Sequence, residues 1–295
     1  EPPSAPIVTG HRWLDEALVF ERPRGVRAFV PFLQRVRAGG FKVALDLGRS
    51  LKSAVIARAS GAAVRVGFAA ADGREGGWWL ANHHLPPQGT ERAKLMQFLA
   101  FGDVLALPPS AVEFGLAPSA AEAEEAAALT AGLTGPVVAA CVGSSCLSRR
   151  WFPDRTAAVL RALRAAHRTS AVLLGTAADA GFAVEVVRAA GEGVRDLVGR
   201  TSVRQLLAVL ARSRVAFGPD SGALHLAAAL GTPVVSLWGA TSARRSAPFG
   251  SEAFTVTGAA PCAPCFLARC PIGRPCMQEI GVERVVERAR MVLAA

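Results

Sequence analysis

The residues whose types suggest chemistry most directly form one short run in the second half of the chain. The run GPDSG at 218–222 leads into a helix-forming stretch that carries His225. The first N–H groups of a helix bind phosphate, and a Ser-Gly pair lets an anion approach the backbone closely. His225 lies about one turn into the helix and faces the same end. The structural alternative makes Asp220 an ordinary helix cap and His225 a core residue.

Two other turns offer small hydroxyl groups. One is VGSS at 142–145, which contains Ser144 and Ser145 and is followed by Arg149; the other is GATS at 239–242. Hydroxyl groups beside a guanidinium can hold a diphosphate without a metal ion. The alternative is an ordinary turn with its arginines in solvent, and the turn at 239–242 is a weak signal by itself.

Four cysteines near the C-terminus form a separate cluster. Cys262, Cys265, Cys270 and Cys276 are separated by two, four and five residues. Four thiolates can hold zinc or iron in a tetrahedral site, and a closed shell of this kind is structural because it leaves no position for substrate. The spacing matches no standard zinc-ribbon pattern. Reduced thiols in a tight loop, or disulfides formed after purification, are the alternatives.

Alternating strands and helices must position the three turns. In the second half we predict strands at 136–142, 170–175, 194–198, 214–218 and 233–238, and helices at 154–167, 178–190, 202–213 and 221–230. Apolar strands with short helical connections indicate a parallel, doubly wound sheet. Ligands bind beyond the carboxyl ends of strands in such sheets, which is where the three turns lie.

The first half has a similar but weaker pattern. We predict helices at 26–38, 50–60, 90–101 and 119–131, strands at 17–22, 42–47, 64–68 and 111–116, and a last helix at 282–294. A Rossmann-like half begins with a strand, a turn and a helix, and the opening residues do not provide this unit. We expect a fragment or a misplaced start, with a divergent N-terminal domain as the alternative.

Length and composition agree with two domains and favour anionic partners. At 295 residues we predict domains at 1–130 and 131–281, with 282–295 as a helix packing back on the first domain. The net charge of +10 suits anionic partners, or else reflects a GC-rich genome. Without a Lys/Arg-rich run we expect no nucleic acid as partner. Short apolar runs predict no membrane span, and the cysteine pattern suggests a reducing cytosol.

Longer strings of the sequence resemble one known family. FGPDSGALHLAAALGTPVVSLWGATSARRSAP is similar to the signature of glycosyltransferase family 9, the ADP-heptose:lipopolysaccharide heptosyltransferases. LLGTAAD, DLVGRTSVRQLLAVLARS and SRRWFP resemble its upstream elements, and ALDLGRSLKSAVIARASGAAVRVGF resembles a block of its first domain. CAPCFLARCPIGRPCMQEI is a tail that some members carry. The resemblance covers essentially the whole chain.

The resemblance implies an α/β fold of the GT-B kind, with two Rossmann-like doubly wound domains facing a central cleft and the first domain incomplete. It also implies roles for individual residues. Donor contacts would come from Ser144, Ser145, Arg149, Asp179, Asp220, Ser221, Gly222, His225, Gly239 and Thr241, and acceptor contacts from Lys52 and Arg65. Among these, Asp179 would meet the nucleoside, and Arg149 replaces the family's lysine, which keeps the charge and changes the geometry.

The implied reaction is inverting transfer of heptose from ADP-L-glycero-D-manno-heptose to lipid A-Kdo or an extended lipopolysaccharide core, with no cofactor required for catalysis. The family's Gly-Asp element, whose Asp is the general base, has no counterpart in these residues. We therefore expect an unassigned base and weak or absent transfer with donor binding retained. The enzyme would be cytoplasmic and peripheral to the inner membrane. The alternatives are another GT-B nucleotide-sugar enzyme or a non-catalytic sugar-nucleotide-binding protein.

Overall fold

The computed structural model describes residues 4–21 and 25–294, and it divides the chain into two units, Glu1–Val112 and Glu113–Ala295. The first unit contains α1 (Ala5–Val8), α2 (Gly25–Ala38), β1 (Val43–Leu45), α3 (Leu51–Ala59), β2 (Val64–Gly67), β3 (His83–His84) and α4 (Lys94–Val104). Its three strands are parallel and in the order β1-β2-β3. Val66 and Phe68 belong to its small core, and the ring of Phe68 lies 5.3 Å from that of Phe101 in α4.

The second unit is larger and contains a six-stranded sheet. Its elements are α5 (Ala120–Leu129), β4 (Val137–Cys141), α6 (Pro153–His167), β5 (Ser170–Leu174), α7 (Ala180–Ala190), β6 (Val194–Asp196), α8 (Val203–Arg212), β7 (Val215–Pro219), α9 (Gly222–Ala229), β8 (Val234–Trp238), α10 (Ala243–Ser246), β9 (Val256–Thr257), α11 (Pro275–Gln278) and α12 (Val282–Leu293). The predicted α/β class and parallel, doubly wound sheet are therefore confirmed.

Both faces of the second sheet are covered by helices because its strand residues alternate between two apolar clusters. Val138 and Ala140 of β4 pack with residues of α6, α7 and α12, whereas Ala139 and Cys141 pack with α5, α8 and α9. Burying one larger aliphatic side chain stabilises a fold by about 1.5–3 kcal/mol. Central strands buried on both faces read as unbroken apolar runs, which explains why they were predictable.

The order of the strands creates a point where the chain reverses direction across the sheet. All six strands are parallel, in the order β6-β5-β4-β7-β8-β9. The chain runs from β4 outward to β6, then returns to β7 beside β4 and runs outward to β9. Beyond the carboxyl ends of β4 and β7 the connections diverge, which is where such sheets bind ligands.

Several predicted elements differ from the structure. Residues 17–21 of the predicted strand at 17–22 form no strand, and Arg22 lies outside the described residues. The segment 111–116 also lacks a strand. Strands β3 and β9 were not predicted, because each has only two residues and leaves no periodic pattern. Ser202 and Gln205 form a capping box at the start of α8.

The division between the units lies earlier than the expected boundary at residue 130. Helix α5 packs against α8, so it belongs to the second unit. Its Glu122 accepts hydrogen bonds from Arg204 of α8 at 2.6 and 2.7 Å. The last helix, α12, packs on α6, β7 and β8 of the same unit. The boundary at residue 130 placed this Ala/Glu-rich helix in the first domain, because helix propensity does not show which sheet a helix covers.

The ion pair of Glu122 makes stability depend on pH. Hydrogen bonds from Arg204, and next from the backbone N–H of Ser119, lower the pKa of Glu122 from 4.5 to about 2. A carboxyl group whose pKa is lower in the folded state stabilises the fold above its unfolded pKa, and this stabilisation is lost as the pH falls through the folded pKa. We therefore expect the unfolding free energy of Glu122→Gln to approach that of the unchanged protein as the pH falls from about 5 to about 3. Urea denaturation measures this, and a constant difference over that range would contradict it.

No helix in the described parts of the chain combines the length and the apolar character that crossing a lipid bilayer would require.

Candidate functional site

Asp220 connects the three turns that follow β4, β7 and β8. Its Oδ2 accepts a hydrogen bond from the Thr241 hydroxyl at 2.9 Å and lies 3.0 Å from Nη1 of Arg149. Its backbone carbonyl accepts a hydrogen bond from the Ser144 hydroxyl at 2.8 Å. The three strands are neighbours in the sheet, so their carboxyl ends place these residues together. Four of the predicted donor residues thus form one cluster at the predicted point.

The carboxylate of Asp220 is largely covered, with 12% of its side chain exposed, and the Arg149 side chain is 24% exposed. The pairing leaves the cluster without a net negative charge, which a phosphate would otherwise meet at close range. The Nε atom of Arg149 is buried and has no hydrogen-bond partner among the described residues. Asp220 therefore holds Arg149 and Thr241 in place, and Arg149 retains an unused donor.

The start of α9 lacks the cap that its sequence would ordinarily supply. Ser50, Ser119 and Ser202 each stand at the N-cap of a helix and accept a hydrogen bond from its third residue. Ser221 stands at the N-cap of α9 and makes no such bond. Its Oγ is buried and has no partner in the part of the chain that the structure describes. Buried polar groups are nearly always hydrogen-bonded, so this hydroxyl points to a ligand.

Gly222 and His225 lie on the open side of the same helix. A Cβ built on Gly222 would meet no atom within 4 Å, and its φ lies outside the left-handed region. The protein itself therefore has no need of glycine at this position. His225 is exposed, which excludes the alternative of a core histidine. Both residues leave room at the N-terminus of α9 for a ligand to approach.

Gly239 is required by packing. A Cβ on it would lie 2.7 Å from Sδ of Met277 and 2.8 Å from Sγ of Cys276. It is buried and lies just before Thr241 in the loop after β8. Gly239 therefore contributes to the site by shaping this loop.

Ser145 lies in the turn after β4. It is exposed, and its hydroxyl contacts Cys146 Sγ at 3.9 Å.

Asp179 lies in a separate, buried pair. Its Oδ2 accepts hydrogen bonds from both the backbone N–H and the hydroxyl of Thr176, at 2.9 and 2.8 Å. Its Oδ1 forms an ion pair with Arg150 at 2.6 Å, and the residue is only 2% exposed. The carboxylate thus holds the turn after β5 to the segment before α6. The carboxylate of Asp179 is therefore not exposed to a nucleoside in this structure, and the expected contact stays a prediction.

The two predicted acceptor residues lie in the first unit. Arg65 uses its guanidinium within that unit: Nε donates to the carbonyl of Leu80 at 3.0 Å and Nη1 donates to that of Ala62 at 2.8 Å. Lys52 places its ammonium group 5.3 Å from the ring centre of Phe20. Arg65 therefore holds backbone together, and the contact of either residue with an acceptor stays a prediction.

The four C-terminal cysteines differ in burial. Cys262 is exposed, Cys265 and Cys270 are half-buried, and Cys276 is buried. Burial raises the pKa of Cys276, and its electrostatic interaction with the other three cysteines raises it further. Within residues 4–21 and 25–294, no group of three or more His, Cys, Asp or Glu side chains is arranged to hold a metal ion. The zinc or iron expected at these cysteines stays a prediction.

Two residues that hold Asp179 were not among the site residues expected from the sequence. Arg150 pairs with Asp179, and Thr176 holds the other oxygen of that carboxylate. The only sequence signal for Arg150 was its place beside Arg149 in the turn after β4. Cys141, at the end of β4, is not a nucleophile, since burial raises the pKa of its thiol to about 12.

The arrangement can bind an anion and stabilise negative charge that develops on it. A helix N-terminus carries roughly half a positive charge, and here it lies beside an unused hydroxyl and an arginine. Such donors stabilise a leaving group most when they are fixed before the reaction begins. A diphosphate has the charge and the number of acceptor oxygens to use all of them.

Comparison with known proteins identifies the family of this chain. The sequence model for the family described as "Glycosyltransferase family 9 (heptosyltransferase)" matches residues 30–274. The lipopolysaccharide core heptosyltransferase OpsX of Haemophilus influenzae is 21% identical over 237 residues, which are 79% of this chain and 67% of that protein. Lipooligosaccharide heptosyltransferase 2 of the same species is 26% identical over 122 residues, 40% of this chain and 35% of that protein.

Solved structures show the same fold. A glycosyltransferase of family 9 from Veillonella parvula has a TM-score of 0.81 at 17% identity, covering 98% of this chain and 85% of its own. ADP-heptose lipopolysaccharide heptosyltransferase II of E. coli has a TM-score of 0.72 at 21% identity, covering 92% and 82%. Heptosyltransferase WaaC of E. coli, solved with ADP, has a TM-score of 0.75 at 16% identity, covering 99% and 88%.

Proposed function

Because the chain belongs to glycosyltransferase family 9, we propose that it transfers heptose from ADP-L-glycero-D-manno-heptose to the inner core of lipopolysaccharide. The transfer inverts the configuration at the anomeric carbon and uses no metal ion. The observation that carries the proposal is the uncapped start of α9, where the buried Ser221 hydroxyl and Arg149 Nε lack partners among the described residues. Heptosyltransferase WaaC of E. coli was solved with ADP, so ADP is the first nucleotide to test.

The proposed reaction has two requirements, activation of the acceptor hydroxyl and stabilisation of the departing ADP. An acceptor hydroxyl attacks the anomeric carbon, the bond from that carbon to the β-phosphate oxygen breaks, and ADP leaves from the opposite face. The first N–H groups of α9, Ser221 and Arg149 take up the charge on the departing diphosphate. The proton of the acceptor hydroxyl passes to a carboxylate base, which we assign to no residue of the described chain.

The acceptor in this proposal is lipid A-Kdo or an already extended core, which is anionic and membrane-borne. The net charge of +10 favours such a partner through long-range attraction. We propose that the enzyme works at the cytoplasmic side of the inner membrane. A transfer assay tests the reaction: ADP-heptose and a heptose-free acceptor should yield a product heavier by one heptose in mass spectrometry, formed slowly because no base is assigned among the described residues. Absence of product while ADP binds would leave only a binding role.

Binding of the nucleotide by Ser221 is testable separately. We expect Ser221→Ala to lower ADP affinity by about tenfold, because a hydrogen bond to a charged group contributes about 1.5–3 kcal/mol. Its melting temperature should not fall, since the hydroxyl has no partner in the described chain. Calorimetric titration with ADP and with UDP measures affinity and base preference together. Preference for UDP would favour a different nucleotide-sugar enzyme of the same fold.

Ser213→Ala is the matched control. Ser213 is also buried, and its hydroxyl donates to the carbonyl of Val209 at 2.8 Å, at the end of α8. This variant should lose stability and keep its ADP affinity, the opposite pattern to Ser221→Ala. Unchanged ADP affinity in Ser221→Ala would contradict the placement of the diphosphate at α9.

A further inference from the structure

The segment 262–274, which we call the cysteine segment, contacts two of the three site loops from outside. The backbone N–H of Phe266 donates to the carbonyl of Ala240, just before Thr241, at 2.8 Å. The backbone N–H of Ser148, just before Arg149, donates to the carbonyl of Ala268 at 3.2 Å. The cysteine segment thus ties together the loop after β8 and the turn before α6.

Ser148 fixes the turn that carries Arg149. It lies in the short helical turn Leu147–Arg149 and is only 1% exposed. Its hydroxyl donates to the carbonyl of Leu267, so its backbone N–H and its side chain both bind the cysteine segment. The backbone immediately before the Arg149 side chain is therefore held at two points.

Arg274 fixes the chain on the other side of Arg149. Its Nη1 donates to the carbonyls of Arg150 and Trp151, at 2.8 and 3.4 Å. Its guanidinium lies 4.5 Å from the ring centre of Phe152, and its own backbone N–H donates to Cys270 Sγ at 3.1 Å. The cysteine segment therefore holds residues on both sides of Arg149.

We propose that Ser148 and Arg274 are positioning residues that aim Arg149 at the diphosphate. The inference rests on the proposed function. Phosphate recognition by a guanidinium depends on direction, because its N–H donors form a rigid planar fork. A long side chain can meet that requirement only if its backbone is fixed. The Arg149 guanidinium can bind either the Asp220 carboxylate or the diphosphate. A small rotation of the turn therefore changes how strongly it binds each of them.

The test is ADP binding by Ser148→Ala. We expect about a fivefold loss of affinity, less than removal of a direct phosphate contact causes. Ser213→Ala removes an equivalent buried bond from a hydroxyl to a carbonyl at the end of α8. It should lower the melting temperature to a similar extent and leave ADP affinity unchanged. Arg274→Ala is the second variant, with the same expected loss, if Ser148→Ala fails to fold.

A double-mutant cycle separates positioning from general loosening. In an Arg149→Ala background, Ser148→Ala should alter ADP affinity by less than about twofold, because two residues that act through one contact are not additive. A full fivefold effect in that background would overturn the proposal, and so would unchanged affinity in both single variants while the unchanged protein binds ADP. If the unchanged protein binds neither ADP nor UDP, the proposed function fails, and with it the premise of this inference.

Discussion

Replacing Gly222 with alanine should remove most ADP binding and leave the fold at least as stable as before. A Cβ at this position would meet no protein atom within 4 Å, and the conformation is one that alanine adopts. Gly→Ala changes at such positions stabilise proteins by about 0.4–1 kcal/mol, because the unfolded chain loses freedom. Any loss of binding must then come from contact between the new methyl group and the ligand.

The expected loss is about 10- to 100-fold in ADP affinity, since the methyl group displaces phosphate from N–H groups whose bonds to charge contribute about 1.5–3 kcal/mol. The melting temperature should rise slightly. Calorimetry and thermal unfolding of the same preparation measure both quantities.

Gly181→Ala is the control for this variant. Gly181 lies in the first turn of α7, and a Cβ there would also meet no atom within 4 Å. It follows β5, whereas the three site loops follow β4, β7 and β8. Gly181→Ala should match Gly222→Ala in stability and retain full ADP affinity. Equal affinity in the two variants, at the value of the unchanged protein, would contradict a phosphate site at the start of α9.

Arg149 is the second residue with a large expected effect. Arg149→Ala should lower ADP affinity by about 10- to 100-fold, because it removes a charge-assisted contact and leaves the Asp220 carboxylate beside the phosphate. Arg149→Lys should lose less than about tenfold, since it keeps the charge and changes only the geometry. Calorimetric titration with ADP measures the affinity of both variants.

Arg204→Ala separates loss of the site from loss of an ion pair. Arg204 pairs with Glu122 at 2.6 Å, and the two side chains are 26% and 20% exposed, close to the values for Arg149 and Asp220. Both alanine variants should lose stability on the order of 2 kcal/mol, because each leaves a partly buried carboxylate without its partner. Only Arg149→Ala should lose ADP affinity. Parallel loss in Arg204→Ala would show that lower stability alone weakens binding.

The second sheet and the position of the site could be predicted because both follow from local patterns. Central strands such as β8 are apolar on both faces, and helices between them show caps such as Ser202. Parallel strands place their carboxyl ends at one edge, so Ser144, Asp220 and Thr241 were expected together. Their hydrogen bonds in the structure confirm that grouping.

The pairing of the polar side chains could not be predicted from the sequence. Asp179 and Asp220 both follow buried strands, yet one is enclosed by Thr176 and Arg150 and the other braces Arg149. Which arginine pairs with which carboxylate depends on the rotation of the turn before α6. Contacts separated by more than 100 residues, such as those of Ser148 with the cysteine segment, set that rotation. No sequence spacing shows such contacts.

Cysteine spacing illustrates the same limit. Four thiols between residues 262 and 276 predicted a metal site, which stays a prediction, and the structure shows that the cysteine segment also holds two loops through hydrogen bonds to its backbone. Cys276 packs against Gly239, and Cys270 accepts a bond from the Arg274 backbone. Spacing shows which side chains lie close along the chain, but coordination depends on their directions in space.

A crystal structure of the protein with ADP would test the central claim most directly. We expect the diphosphate at the N-terminus of α9, with a phosphate oxygen within about 3 Å of Ser221 Oγ and another facing the guanidinium of Arg149. A diphosphate bound elsewhere, or no nucleotide at this turn when ADP saturates the protein in solution, would contradict it.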